Sequence, residues 1–411
     1  MKKYFLILFL FCFVDALDIT QAIHIALQHS SDIKEQEMLK KQGEYLNKAN
    51  YANLMPSIDA GYTLSYNIPS NSNHYMLNSL NIKFNYNLFN GLKDYYAILQ
   101  SKQNIKTLQY NLEKTQVDIA LKTKSAYISI LQSQALLKIL EERKKNIELQ
   151  KNKAQQFVRQ GIRAKNESLS MEILLANTIL SIKNTELNLK YQKEILKQLL
   201  KVEIDFENLE DIQVDIQEDF NTQEIFQNIL NQNPQYLALI SSLDSAKLQN
   251  KSDFGSFLPS LDLSGTKFWY IDGNNVISTS YGLQSQIRLN ATWNLFNGLR
   301  DSNKYQASKI YTFSLQNKIE TFKRNLLLSL EDLIKNLAFA KEQYMININT
   351  LEQAEENYKI VNNRYAQGIA TYTELIDAEL LLNNARTNIA QAKYDFALLV
   401  AQIHSLENRI F

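Results

Sequence analysis

The chain has 411 residues, with 44 basic and 43 acidic side chains and a formal net charge of +1, so nothing in its charge suggests a polyanionic partner such as nucleic acid. One Cys and four His are too few for a thiolate centre, a zinc cluster or a Cys/His nucleophile, so no enzymatic site, metal or cofactor is expected. Ten Gly and four Pro amount to about 3% of the residues, against roughly 12% in average usage, and a chain so short of turn residues must be mostly long helix.

At the amino terminus Lys2 and Lys3 precede an apolar run from Tyr4 to Val14, and Val14-Asp15-Ala16 offers small residues at the positions a signal peptidase reads. Residues 1–16 are therefore expected to form a secretory signal, too short to span a bilayer. Cys12 lies inside it and follows Phe11, where a lipoprotein signal wants a small residue, so it is expected to be discarded and not lipidated. No later run approaches about 18 uninterrupted apolar residues, so any membrane crossing must use strands.

Helix signals run from Ile19 to Leu54, opened by Asp18 three residues ahead of Gln21 and interrupted near His29-Ser30-Ser31. From Ile58 the pattern changes to period two: Ile58, Ala60, Tyr62, Leu64 and Tyr66 alternate with polar residues. It resumes at Leu80, Ile82, Phe84, Tyr86 and Leu88. Such ten-residue aromatic-rich alternation is the signature of strands in a transmembrane β-barrel, here about 57–67 and 79–89. Residues 92–160 then hold neither Gly nor Pro, enough for a continuous helix of roughly 100 Å. Gly161 is expected to end that helix and turn the chain into a returning partner. Its apolar positions are Met171, Leu175, Thr178, Ile182, Thr185, Leu189, Leu196 and Leu199. Residues 202–221, rich in Asp and Glu and without Lys or Arg, read as a solvated connector.

Beyond the connector the chain repeats itself. Phe89-Asn90-Gly91-Leu92 returns 207 residues later as Phe296-Asn297-Gly298-Leu299, and Gln160-Gly161-Ile162 returns as Gln367-Gly368-Ile369. Glu167 and Glu172 find Glu374 and Glu379 at the same offset, while Pro56-Ser57 finds Pro259-Ser260 at 203. The second repeat, 222–411, is expected to open on a helix near Thr222 and to carry strands about 260–270 and 283–296. The loop between those strands holds Asp272-Gly273-Asn274-Asn275. Residues 299–367 are again free of Gly and Pro, and past Gly368 a seam steps by three and four from Leu375 to Leu406 and Ile410. The first repeat covers 17–201.

Four strands cannot close a barrel, and an open sheet edge in lipid leaves peptide groups unsatisfied, so closure requires several chains; three would supply twelve strands around a wet interior. Trp269, Trp293, Tyr62, Tyr66, Tyr86 and Tyr270 are candidates for an interfacial aromatic girdle. A rival reading from the residues alone is a periplasmic coiled-coil adaptor or scaffold whose strands form only a soluble sheet.

The motif Arg364-Tyr365-Ala366-Gln367-Gly368, followed by Glu374-Leu375-Ile376-Asp377-Ala378, and the twice-used Leu-Phe-Asn-Gly at Leu88–Gly91 and Leu295–Gly298 resemble those of the TolC-type outer membrane efflux proteins. The resemblance covers nearly the whole chain after residue 16. It implies a mainly α fold with a transmembrane β part: a homotrimer with a twelve-stranded barrel in outer membrane lipid, a twelve-helix tunnel in the periplasm, and residues 202–221 at an equatorial belt. It implies a passive exit duct of a Gram-negative cell, serving a periplasmic adaptor and an inner membrane pump of the RND or ABC type. It also implies roles at a periplasmic aperture. Tyr365 would bond towards a neighbouring hairpin, Glu167 would be its acidic partner, and Glu374 and Asp377 would form an acidic ring. Gly161 and Gly368 would turn the hairpins, while Asn90, Gly91, Asn297 and Gly298 would join strand to helix. Where the family's best-known members keep an arginine two residues after the signature glycine, this chain has Ala370, and the first repeat has Arg163.

Overall fold

A computed structural model of the chain describes residues 17–68, 70, 74–161, 164–202, 206, 209–214, 221–271 and 285–411. Residues 1–16, Arg163, the 272–275 loop and most of the acidic connector lie outside the described residues. The chain divides into two compact units, one of residues 35–113 and 234–325, the other of residues up to 34, 114–233 and 326–411.

The first of these units holds the sheet. Strands β1 (Ser57–Asn67), β2 (Tyr75–Phe89), β3 (Ser260–Ile271) and β4 (Ser285–Thr292) pair antiparallel in sequence order, so β1 and β4 are the two edges. Relative to the expected spans, β2 starts four residues earlier and β4 ends four residues sooner, because Ser260, the first residue of β3, already pairs with Thr292. The registers align one face throughout: Tyr62 opposes Leu80, Leu80 opposes Trp269, and Leu263 opposes Leu289. That face is apolar and bare apart from Lys267, which lies opposite Ile82, and Ile287 and Leu289 on it are 85% and 62% exposed. Because side chains alternate, the other face collects the polar set, where Asn87 donates to Asp262 at 2.9 Å and Asn85 to Asp59 at 3.0 Å. Tyr270 pairs with Ser79 and stacks on Phe268 on this polar face, so it does not share the face of the other proposed girdle aromatics.

Helical segments complete this unit. Most of helix α2 (Ser31–Ala52), helix α6 (Pro234–Phe254) and the near ends of α3 (Lys93–Arg159) and α7 (Arg300–Ala366) belong to it. Leu243 and Ala246 of α6 pack on Leu315 and Ile319 of α7, and Ser245 donates to Asn104 of α3 at 2.7 Å.

The other unit is wholly helical in its regular structure. Helices α3 and α7 each run for 67 residues, about 100 Å at 1.5 Å per residue, and begin and end 207 residues apart, as the Gly- and Pro-free windows require. Their returning partners are α4 (Lys165–Leu200) and α8 (Tyr372–Leu406). Helix α1 (Ile19–His29) carries the expected capping box of Asp18 and Gln21. Helix α5 (Thr222–Gln232) is capped one residue earlier than expected, by Asn221, whose side chain accepts from the Gln223 amide. The seam of α8 buries Leu375, Ala378, Leu382, Ala385, Ala392, Phe396 and Ile403, but stops at Leu406. There Asn408 adopts φ +64°, and the amides of Arg409 and Asn408 return to the carbonyls of His404 and Ser405. This is a Schellman close with Asn in the usual glycine position, and Ile410 falls outside the helix.

The connector is less solvated than its composition implies. Phe206 is buried, Leu209 bridges to Leu17, and the buried Tyr127 hydroxyl donates to the carbonyls of Leu17 (2.7 Å) and Glu210 (2.8 Å). Asp211 is held by Lys393 at 2.6 Å and by the Tyr394 hydroxyl at 3.1 Å; although burial pushes the other way, these contacts leave its carboxyl below the usual range.

Candidate functional site

Each strand pair enters its long helix through the same device. Gly91 and Leu92 take φ +74° and +64°, and Gly298 and Leu299 take +70° and +64°. Two successive left-handed residues reverse the chain sharply, and the second is a leucine that bears the steric strain of that region. Asn90 then donates to Asp94 in the first turn of α3, and Asn297 to Asp301 in α7. The aspartates lie where the helix amide dipoles favour negative charge. Here the two copies diverge in packing. A Cβ on Gly91 would meet the Gly255 carbonyl oxygen at 2.1 Å, whereas one on Gly298 would meet nothing within 4 Å in the chain.

At the other end of the long helices Gly161 (φ +72°) and Gly368 (φ +76°) close them. The Gly368 amide returns to Tyr365 and that of Ile369 to Arg364, at 3.0 and 2.9 Å. Around this turn Ile147 of α3, Met171 of α4, Tyr365 of α7, Ala370 and Leu375 of α8 form one buried cluster. Tyr365 is 1% exposed, its ring sits edge-on to Phe157 at 6.5 Å, and its hydroxyl reaches Glu167 Oε2 at 3.5 Å. The structure thus brings Tyr365 and Glu167 together within one chain. Ala370, also 1% exposed, occupies a site where an arginine would have to bury its charge.

Glu374 and Asp377 are both exposed. Glu374 also has a structural role. Its Oε2 accepts the Thr371 amide at 2.7 Å while Thr371 Oγ1 accepts the Glu374 amide at 3.3 Å, a complete capping box. The cap occupies one oxygen and leaves the charge in place.

One titratable group at this end was invisible in the sequence except as a repeat position. Glu379 is buried, with its side chain 3% exposed and its Oε1 3.8 Å from Arg143 Nε. Burial, partly offset by the Arg143 charge, raises its carboxyl to about 7. Its repeat partner Glu172 is exposed and accepts from Gln155 at 3.3 Å.

Among the described residues no helix is long and apolar enough to cross a membrane, and no group of three His, Cys, Asp or Glu side chains is placed to hold a metal ion. The duplicated helical hairpins and the amphipathic four-stranded sheet with two unpaired edges define a channel-forming class of protein. The family model for outer membrane efflux proteins matches residues 22–200 and 225–407, and the chain belongs to that family. Its members are conduits and not enzymes, which decides against the adaptor or scaffold reading. No curated protein matches the sequence. Among solved structures, CusC matches with a TM-score of 0.85 at 15% identity, covering 95% of this chain and 91% of that one. VceC of Vibrio cholerae matches at 0.83 and 15%, covering 95% and 96%. The CmeC outer membrane channel of Campylobacter jejuni matches at 0.83 and 17%, covering 96% and 86%. At these identities the likeness carries the fold.

Proposed function

We propose that three copies of this chain, exported by a signal over residues 1–16, close a twelve-stranded barrel in the outer membrane of a Gram-negative bacterium. Most of each chain, with its long helices, stands in the periplasm. The assembly is a passive exit duct for an inner membrane pump of the RND or ABC type, joined through a periplasmic adaptor. The observation that carries this reading is the sheet itself. It has one face of mainly aliphatic and aromatic side chains suited to lipid, broken by Lys267, one polar face suited to water, and two edges that a bilayer does not tolerate unpaired. Lys83, Asn85, Asn87, Asp262, Gln286 and Arg288 line a hollow on the polar side, as the wall of a wet lumen would.

The aperture lies at the hairpin turns. Tyr365 and Glu167 hold the two hairpins of one protomer together at their tips, with Gly161 and Gly368 setting the turns, Arg163 as a further gate residue, and Glu374 and Asp377 forming a ring of six carboxylates. Six like charges in a narrow ring attract cations and exclude anions. Replacing Glu374→Gln and Asp377→Asn together removes the charge while Gln keeps the capping hydrogen bond, so the helix start survives. The variant channel in a planar bilayer is expected to lose cation preference by roughly an order of magnitude at low salt and by much less at 1 M, where screening shortens to about 3 Å. An unchanged permeability ratio at low salt would remove these two residues from the aperture. Wild-type protein that runs as a monomer in detergent and passes no current would remove the duct.

A further inference from the structure

The internal repeat specifies how one copy meets the next. In the chain, β2 of the first repeat pairs with β3 of the second, with Ile82 opposite Lys267, Asn85 opposite Ser264 and Asn87 opposite Asp262. The counterpart of β2 is β4, at the 207-residue offset that carries Phe89 to Phe296, and the counterpart of β3 is β1, at the 203-residue offset between Pro56 and Pro259. These counterparts are the two unpaired edges. We propose that β4 of one copy pairs antiparallel with β1 of a second copy in the register obtained by applying those offsets. Leu289 then lies opposite Leu64, Asn290 opposite Thr63, Ala291 opposite Tyr62, and Asn294 opposite Asp59 of the second copy. The proposal rests on the trimer reading and adds its register.

One further observation favours this register over its neighbours, and a second favours the pairing itself. Matching apolar faces excludes slips by one residue but permits slips by two, since the side-chain period is two. The residues at the ends decide between the remaining choices. Asn87 donates to Asp262 across the in-chain pair at 2.9 Å, and the offsets place Asn294 against Asp59, the same two residue types. A slip by two residues would put Asn294 against Gly61 or Ser57 instead. The second observation is the short β4. It ends at Thr292, opposite Ser260 where β3 begins, yet its counterpart β2 continues to Phe89. In the proposed register Trp293 and Asn294 face Ala60 and Asp59 of the second copy and, past the counterpart of the irregularity between Asn87 and Phe89, Phe296 faces Ile58, which extends the short strand and pairs its end in lipid.

Disulfide trapping tests the register, because the sole native cysteine, Cys12, falls in the expected signal. Directly opposed residues in an antiparallel pair have Cα atoms about 4.5 or 5.5 Å apart, both within the reach of a disulfide. A slip by two residues adds about 6.8 Å along the strand and takes them out of reach. Oxidation of the double variants Leu64→Cys/Leu289→Cys and Thr63→Cys/Asn290→Cys is expected to convert most of the protein into covalently closed trimers in non-reducing gels. Tyr62→Cys/Leu289→Cys and Tyr66→Cys/Leu289→Cys should stay uncrosslinked. Reduced samples on native gels establish that each variant assembles. Trimers that crosslink only through the slipped pairs would overturn the register and leave the duct standing, whereas variants and wild type that are all monomeric would overturn the trimer and the pairing with it.

Discussion

Gly91→Ala is expected to destabilise the sheet-bearing unit by about 3–5 kcal/mol, while the same substitution at Gly298, in an identical Leu-Phe-Asn-Gly-Leu context, costs about 1 kcal/mol. Both glycines are left-handed, so both variants carry the strain of a Cβ in that region. Only Gly91 also faces a backbone. Its Cβ would lie 2.1 Å from the Gly255 oxygen and 2.9 Å from the carbonyl carbon, and a Cβ on Gly255 would lie 2.3 Å from the Gly91 oxygen. Neither obstacle is a side chain that can rotate away, so the junction and the turn at Gly255–Phe257 must separate. The equivalent approach at Gly298 is not expected even in an assembly, because the 203-residue offset puts Ala52, which already has a Cβ, in the place of Gly255. Thermal unfolding of the two purified variants, followed by circular dichroism, checks the contrast. Equal losses at the two positions would show that the Gly91–Gly255 approach does not matter for stability.

That contrast marks the limit of what sequence patterns reveal. The duplicated junction was legible because it is local: a turn needs its glycine wherever the turn occurs, and a helix runs until Gly or Pro ends it. The alternation in the strands gave the apolar and polar faces for the same reason, with residues such as Tyr62, Leu80 and Leu289 falling on one side once paired. Misplaced features depended on partners distant in the chain. Tyr270 was grouped with the girdle by residue type, but the register with Ser79 turns it to the polar side. Phe206, within an acidic stretch, is buried with its carbonyl accepting from Gln134, which no local pattern foretells. Among the site residues, the Tyr365 hydroxyl lies 3.5 Å from Glu167 Oε2, a contact across 198 residues, whereas the cap role of Glu374 could have been read from Thr371 standing three residues before it.

Glu379 is the sharper case, since its repeat partner Glu172 is a solvated residue and nothing near it in sequence distinguishes the two. The difference is made by Arg143 on α3 and by burial against neighbouring helices. Among the described residues neither carboxyl oxygen of Glu379 nor Arg143 Nε has a hydrogen-bond partner, and the Tyr358 phenol, raised mainly by its own burial, also feels the Glu379 charge. With its carboxyl raised to about 7 from an ordinary 4.5, the folded chain holds this proton more tightly than the unfolded chain does. Below pH 4.5 the group is neutral in both states and costs nothing. Between 4.5 and 7 the unfolded state releases the proton first, so stability falls as pH rises, by about 3 kcal/mol per chain in total, and then levels off. Glu379→Gln abolishes that loss, so its stability should equal that of wild type near pH 4.5 and exceed it at pH 8. Arg143, 19% exposed, keeps its hydration in the variant. Arg143→Met acts in the opposite direction: it removes the only cation within 4 Å of the Glu379 carboxylate among the described residues, raises the carboxyl further, and so enlarges the pH-dependent loss and extends it to higher pH while its onset stays near 4.5. Unfolding temperatures of the three proteins measured at half-unit steps from pH 4.5 to 8.5 test the account, and parallel pH profiles for wild type and Glu379→Gln would refute it. If it holds, the hairpins are less tightly held at pH 8 than at pH 5, at the end of the chain where the aperture is proposed.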